Sequence, residues 1–294
     1  MLHNKLTYEE LYGWGTEQLA SADVPDAGTD ARLLLEWCCG TDRNTLLVHG
    51  SREVSAEEYG KYHQAVGQRK QRVPLQYITG EQEFMGLTFE VNRNVLVPRQ
   101  DTEILVEEVM RNLHDGMRIL DMCTGSGCIL LSLLHYSNDC TGVGVDISGE
   151  ALQTAKRNAG NIIGSHSDPE DSEAVFVQGD LFQGLGEGDK FDIIVSNPPY
   201  IRTSVIDTLM PEVREYEPVL ALDGREDGLF FYRQIIAQAG DYLCGGGMLF
   251  MEIGYDQGED VTRLMEAEGY TQVEVFRDYA GNDRVVQGVW PSVG

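Results

Sequence analysis

The residues best suited to chemistry lie between Phe191 and Ile201, FDIIVSNPPYI, where an asparagine and two prolines follow a β-branched apolar run. Such a run reads as a buried strand, ending here in a rigid turn. Proline fixes φ and has no backbone donor, so Pro198 and Pro199 hold the turn extended and leave carbonyl oxygens free to accept. With the Asn197 amide they make an acceptor cluster suited to a nitrogen that carries two hydrogens, and Tyr200 can cover one flat face of that group. The expected substrate is a planar amine or amide. An ordinary Asn-Pro turn with a packing tyrosine would look the same, and what lies upstream decides between them.

Upstream, RILDMCTGSGCILLSLL is an apolar strand, a turn containing Gly125 and Gly127, and a helix. Glycines there let backbone N–H groups face a ligand closely, which implies a nucleotide-like cofactor. A dinucleotide fingerprint starting at Gly125 needs glycine at position 130, where Leu130 stands, so S-adenosylmethionine is favoured over NAD. Asp121 is placed to receive a methionine ammonium and Asp146 to bind ribose hydroxyls. Asp180, in QGDLF, is placed to accept from an adenine amino group, with Leu181 packed on the ring. A lone aspartate is as often a helix cap or turn residue. Three of them at strand ends in one sheet mark the edge where such folds bind ligands.

The elements that must hold these groups divide the chain in three. Residues 1–73 read as short helices, with capping boxes at Thr7 to Glu10 and Ser55 to Glu58, and form a small helical domain. Residues 74–97 alternate apolar and polar around Gly80 and Gly86 and read as a β-hairpin connector. From 98 to 294, strands and helices alternate, which predicts an α/β doubly wound sheet. The polar, acidic stretch from Asn161 to Glu173 reads as a surface loop without chemical importance.

Composition narrows the function. A formal charge of -26 disfavours long contact with nucleic-acid phosphates, which require a positive face. The one dense basic cluster, Arg69, Lys70 and Arg72, reads as a solvated helix end. Six cysteines form no CxxC pair and have no histidine at zinc-finger spacing, so neither a metal nor a disulfide framework is expected. The first residues, MLHNKLTYEELYGWG, carry charges where a signal peptide would be apolar. No stretch approaches the roughly eighteen apolar residues of a membrane span, so a reducing, cytoplasmic location is expected.

Taken in order, DMCTGSG, GVDIS, GDLF and SNPPY resemble the HemK/PrmC family, the peptide chain release factor glutamine methyltransferases. PLQYITGEQEFMGLTFEVNRNVLVPRQDTE, YEPVLALDGREDGLFFY, MEIG and GNDRVV extend the resemblance over about residues 70 to 290. NPPY is shared with enzymes that methylate base amino groups, whereas VPRQDTE with YEP and DGL is more particular. Two positions depart from the family pattern: Cys123, where many methyltransferases have glycine, and Gln100, where the family usually has proline.

The resemblance implies a class I S-adenosylmethionine-dependent methyltransferase with a Rossmann-like, seven-stranded sheet and a helical domain that recognises a protein substrate. The implied reaction is methylation of the side-chain amide nitrogen of the glutamine in the Gly-Gly-Gln motif of release factors, leaving S-adenosylhomocysteine. Cys123, Thr124, Gly125, Ser126 and Gly127 would form the cofactor loop. Asn197, Pro198 and Tyr200 would act in catalysis, with Pro199, Arg99 and Glu103 beside the substrate. Glu103 and Glu252 are not assigned as bases, and Arg99, Glu103, Glu252 and Arg284 are read as more often structural than in contact with substrate. A monomer acting on a release factor, with no membrane or direct nucleic-acid contact, is expected. The alternatives are a methyltransferase for a base amine of the adenine N6 type, which needs a positive groove, and a non-catalytic cofactor-binding protein.

Overall fold

A computed structural model of the chain describes residues 6–164 and 173–292, so most of the loop expected over 161–173 lies outside the described residues. Two compact units are present, Met1–Gly80 with Met210–Tyr216, and Glu81–Leu209 with Glu217–Gly294.

The first unit contains α1 (Tyr8–Ala20), α2 (Ala27–Cys39), α3 (Arg43–His49), α4 (Ala56–Lys70) and α5 (Leu75–Thr79). Both anticipated capping boxes close, Thr7 with Glu10 at the start of α1 and Ser55 with Glu58 at the start of α4. Each satisfies orphan amides of a first helical turn. Tyr8, Leu11, Leu34, Leu35, Tyr62 and Val66 are central to the core. Gly15 lets α1 and α4 approach: a Cβ there would lie 2.0 Å from the Tyr62 hydroxyl, which donates to the Ala31 carbonyl at 3.0 Å.

The basic cluster is not a solvated helix end. Arg69 is only 6% exposed; its Nε donates to Asp30 at 2.7 Å and it pairs with Glu212 at 2.8 Å. Arg72 forks onto both Glu212 oxygens at 2.6 Å. Sequence proximity of the cations suggested solvation because their partners come from α2 and from residue 212, far away in the chain.

The second unit opens with a hairpin, β1 (Glu81–Phe84) and β2 (Leu87–Glu90), so of the anticipated 74–97 connector the part through Gly80 lies with the helical unit. There follow α6 (Glu103–Met110), β3 (Arg118–Met122), α7 (Cys128–His135), β4 (Thr141–Asp146), α8 (Gly149–Ile162), β5 (Glu173–Gln178) and β6 (Phe191–Ser196). The remainder is α9 (Thr203–Ile206), α10 (Pro211–Tyr216, part of the first unit), α11 (Phe230–Ala239), β7 (Leu243–Glu252), α12 (Gly258–Glu268), β8 (Thr271–Arg277) and β9 (Asp283–Val289).

The sheet is seven-stranded in the order β5-β4-β3-β6-β7-β9-β8, with β9 antiparallel to both neighbours. The doubly wound expectation holds. Alternate residues of the central strands feed opposite faces: Ile119, Ile193 and Val195 meet α6 and α7, whereas Leu120 and Ile194 meet α11 and α12. Strands buried on both faces read as continuous apolar runs, the pattern seen in FDIIVS.

Candidate active site

From β3 the chain winds outward through β4 and β5, then returns to β6 on the other side of β3. This reversal opens a crevice at the carboxyl ends of β3, β4 and β6, where such sheets bind ligands. A cavity of about 390 Å³ lies there, within the size range of small-molecule sites.

The loop after β3 is held through its backbone amides, two of them bonded to β4. The Thr124 amide donates to Val145 O at 3.0 Å, the Gly125 amide to Asp146 Oδ2 at 2.9 Å, and the Gly127 amide to Thr124 O at 2.8 Å. These amides were expected to face a ligand; they are used to fold the loop. Gly125 and Gly127 take φ of +56° and +80°, and Cys123, where a glycine would be free of strain, takes +63°. Cys123, Thr124, Gly125 and Ser126 line the cavity, whereas Gly127 is not on its wall.

Asp121 is off the cavity wall and fully buried, in contrast to the ammonium-binding place expected for it. Its Oδ2 accepts from the Thr124 hydroxyl at 2.6 Å, so its observed contact braces the loop from behind. Burial pushes its carboxyl up to about 7. Asp146 is on the wall. It accepts from the Gly125 and Ser148 amides, both at 2.9 Å, and burial raises its pKa against the pull of these bonds. Asp180 and Leu181 also line the cavity, with Leu181 at a φ of +51°.

On the opposite side, β6 delivers the NPPY turn. Asn197 and Pro199 are on the wall; Pro198 is buried and off it. Asn197 Nδ2 donates to Thr102 Oγ1 at 3.3 Å, which leaves its Oδ1 as the acceptor available to the cavity. Tyr200 does not cover the cavity. Its hydroxyl donates to Glu252 Oε1 at 3.1 Å, its carbonyl accepts from Gln257 at 3.1 Å, and its ring packs on the core. A buried polar partner at the end of β7 draws the ring inward, which the local motif does not reveal.

Glu103 is also committed elsewhere, accepting from the Met85 amide at 2.7 Å. Arg99 is on the wall and holds both oxygens of buried Glu217, at 2.6 and 2.8 Å. Arg284 reaches Asp278 at 3.0 Å and Asp101 at 3.2 Å, away from the wall. Residues missed from sequence include Thr102, Ser148, Glu150, Leu220 and Phe230, all on the wall. Their signal lay in the quoted stretches VPRQDTE and YEPVLALDGREDGLFFY, and for Ser148 and Glu150 in the turn after Asp146.

Residues 10–80 match the PrmC N-terminal domain and residues 99–213 the Methyltransferase small domain. A Release factor glutamine methyltransferase of Caulobacter vibrioides is 41% identical over 286 residues, 97% of this chain and 96% of that protein. The chain belongs to this family. A second member, from Geobacter sulfurreducens, is 40% identical over 282 residues, 96% of each chain. A solved Methyltransferase from Pyrococcus furiosus shares the fold at a TM-score of 0.50 and 18% identity, over 71% of this chain and 91% of that one.

The cofactor is S-adenosyl-L-methionine, and the donor set of the cavity fits it. Asp146 retains lone pairs beyond its two amide bonds, as two adjacent hydroxyls need. Carboxylates at 146, 150 and 180 share the wall with Arg93, Arg99 and Arg225, so both signs of charge are present for a cofactor that carries a sulfonium, an ammonium and a carboxylate, and Leu181, Ile147 and Phe230 supply apolar surface for a purine.

Proposed function

We propose that the chain methylates the side-chain amide nitrogen of the glutamine in the Gly-Gly-Gln motif of peptide chain release factors, with Asn197 as the group that holds the amide. The observation that carries this reading is the Asn197 carboxamide, tied through its nitrogen to Thr102 and left with its oxygen at the cavity.

An amide nitrogen is a poor nucleophile because its lone pair is delocalised into the carbonyl. Asn197 Oδ1 accepts one of its two hydrogens. A backbone carbonyl near Pro198, in the turn that brings Asn197 and Pro199 to the wall, accepts the other. Two acceptors fix the plane of the amide, so the chain contributes orientation and electrostatics rather than a charged base. When bound, S-adenosylmethionine supplies an electrophilic methyl group. The substrate nitrogen would gain that methyl as S-adenosylhomocysteine leaves with the carbon–sulfur electron pair, and would release one hydrogen to solvent as a proton. Asp146 would hold the ribose, Asp180 and Leu181 the adenine, and the loop from Cys123 to Ser126 the remainder of the cofactor. Pro199 and Arg99 border the substrate side.

The helical unit recognises the release factor, and the chain acts in the cytoplasm as a monomer without direct contact to nucleic acid; the charge of -26 supports this last point. Incubation with labelled cofactor and a purified release factor, total RNA or DNA tests the substrate. Mass spectrometry should place one methyl group on the motif glutamine, and label confined to nucleic acid would reverse the reading. Asn197→Ala should lower turnover by about 10²-fold or more while leaving cofactor affinity within a few-fold. Asp146→Ala should instead weaken cofactor binding by about tenfold or more in calorimetry, since it removes a charged acceptor from the wall.

A further inference from the structure

Between β7 and α12, one buried side chain reaches two separate stretches of chain that contribute to the cavity wall. Gln257 is 3% exposed and off that wall itself. Its carboxamide meets four groups: Nε2 donates to the Tyr200 carbonyl at 3.1 Å and to the Gly228 carbonyl at 3.3 Å, while Oε1 accepts from the Gly254 amide at 2.8 Å and from the Tyr232 hydroxyl at 3.3 Å. A carboxamide has two donor hydrogens and an oxygen with two lone pairs, so every position is used. The direction is fixed as well, because the Gly254 amide can only donate and the two carbonyls can only accept.

The donor side joins the two stretches. One is the NPPY turn, which brings Asn197 and Pro199 to the wall; the other is residues 218–231, which bring Leu220, Ala221 and Arg225. Their backbones are also paired, the Ile201 amide donating to Leu222 O at 3.0 Å and the Gly224 amide to Ile201 O at 2.8 Å. Where they meet, Gly228 has a φ of +76° and no room for a side chain. A Cβ there would lie 2.5 Å from the Tyr200 carbonyl oxygen and 2.7 Å from Gln257 Nε2. Only Pro198 and Pro199 separate Tyr200 from Asn197, and their rings fix φ, so a displacement of the Tyr200 carbonyl is passed on to Asn197 rather than absorbed by the turn.

We infer that Gln257 is a positioning residue that clamps the NPPY turn to residues 218–231 and so sets the place of the Asn197 oxygen relative to Leu220, Ala221 and Arg225. This rests on the reading of Asn197 given above. The four partners of Gln257 lie outside the residues assigned to the cofactor, so its loss should be read in turnover rather than in cofactor affinity.

The test compares Gln257→Met and Tyr232→Phe with the unaltered chain, measuring kcat and KM on a purified release factor, and cofactor Kd and binding stoichiometry by calorimetry. Gln257→Met keeps the length of the side chain and removes both donors. It should lower kcat by about tenfold or more while KM and cofactor Kd stay within about threefold and the number of cofactor sites per chain is unchanged. Tyr232→Phe removes the hydroxyl that bonds Gln257 Oε1 and the Glu252 carbonyl but leaves the donor side of Gln257 in place. It should lower Tm and keep kcat within about threefold of the original. Turnover by Gln257→Met equal to the original overturns the proposal. A loss matched by fewer cofactor sites per chain, or shared in full by Tyr232→Phe, assigns Gln257 to the stability of the fold and also overturns it. If the unaltered chain binds cofactor but labels no release factor, the reading of the site falls and the clamp with it; variant data alone sink only the clamp.

Discussion

Buried ionisable groups are partnered more completely in the helical unit than in the sheet unit. In the helical unit, Arg69 is met by Asp30 and Glu212, and Glu212 is forked by Arg72, so the cations and anions are mutually satisfied. In the sheet unit, Asp121 Oδ1, Glu252 Oε2 and Arg284 Nε are sealed without a hydrogen-bond partner. Among the described residues, the charged side chains with such atoms all lie in the sheet unit, and two of them stand behind the cofactor loop or the NPPY turn. A buried unpaired polar atom costs about 1–3 kcal/mol. Such costs persist where they hold a site in one arrangement. The helical unit uses charge for shape; the sheet unit leaves polar atoms unsatisfied beneath the cofactor loop and the NPPY turn.

The contrast breaks most readily at Arg69. Arg69→Met strips Asp30 of its Nε donor and leaves a carboxylate that is almost wholly inside, so the helical unit should lose about 3–5 kcal/mol, read as a lowered urea midpoint. Adding Asp30→Leu should return most of that loss, because an ion pair replaced by apolar groups is close to neutral. A single variant as stable as the original would show that the network contributes no more than an exposed pair.

An effect of similar size is expected at Asp121, and its sign can be worked out. The folded carboxyl titrates at about 7 against an ordinary value of 3.8, so between those limits the unfolded chain is ionised while the folded one keeps its proton. Folding then binds a proton, and this group's contribution to stability falls as pH rises, by about 1.4 kcal/mol per unit across the window and no further above it. Asp121→Asn cannot ionise. The stability difference, variant minus original, should climb from pH 4 to 7 and then level off in thermal scans over that range. A flat difference would mean that Asp121 is ionised and solvated, contrary to its burial.

These two sites also show what a sequence reveals. The strand FDIIVS and its turn were legible because a β-branched run and paired prolines are local signals, as were both capping boxes and the acid ending β4. The partners were not. Thr102 meets Asn197 across 95 positions and Tyr200 meets Glu252 across 52, and no periodicity joins such distant residues. The direction of the Tyr200 ring depends on a buried carboxylate from another strand, and the pairing of Arg69 depends on helix α2 and residue 212. Strand ends and turn chemistry were written locally; which face a side chain turns to was decided by packing.

The smallest effect tests whether backbone strain belongs with the unsatisfied charge of the sheet unit. Cys123 lies at a φ of +63°, a region that costs a side-chain-bearing residue about 1–2 kcal/mol, and its side chain packs against the core beside α11 and α12. Cys123→Gly removes the strain but also removes that packing and adds freedom to the unfolded chain, by about 0.5–1 kcal/mol. The terms oppose each other, so Tm should move by less than about 4 °C. Cys123→Val sharpens the question, because a β-branched residue is poorly tolerated at positive φ. It should lower Tm by several degrees more than Cys123→Gly, and equal values for the two variants would show that the loop relaxes at residue 123 rather than being held there by the bonds of Thr124 and Gly125.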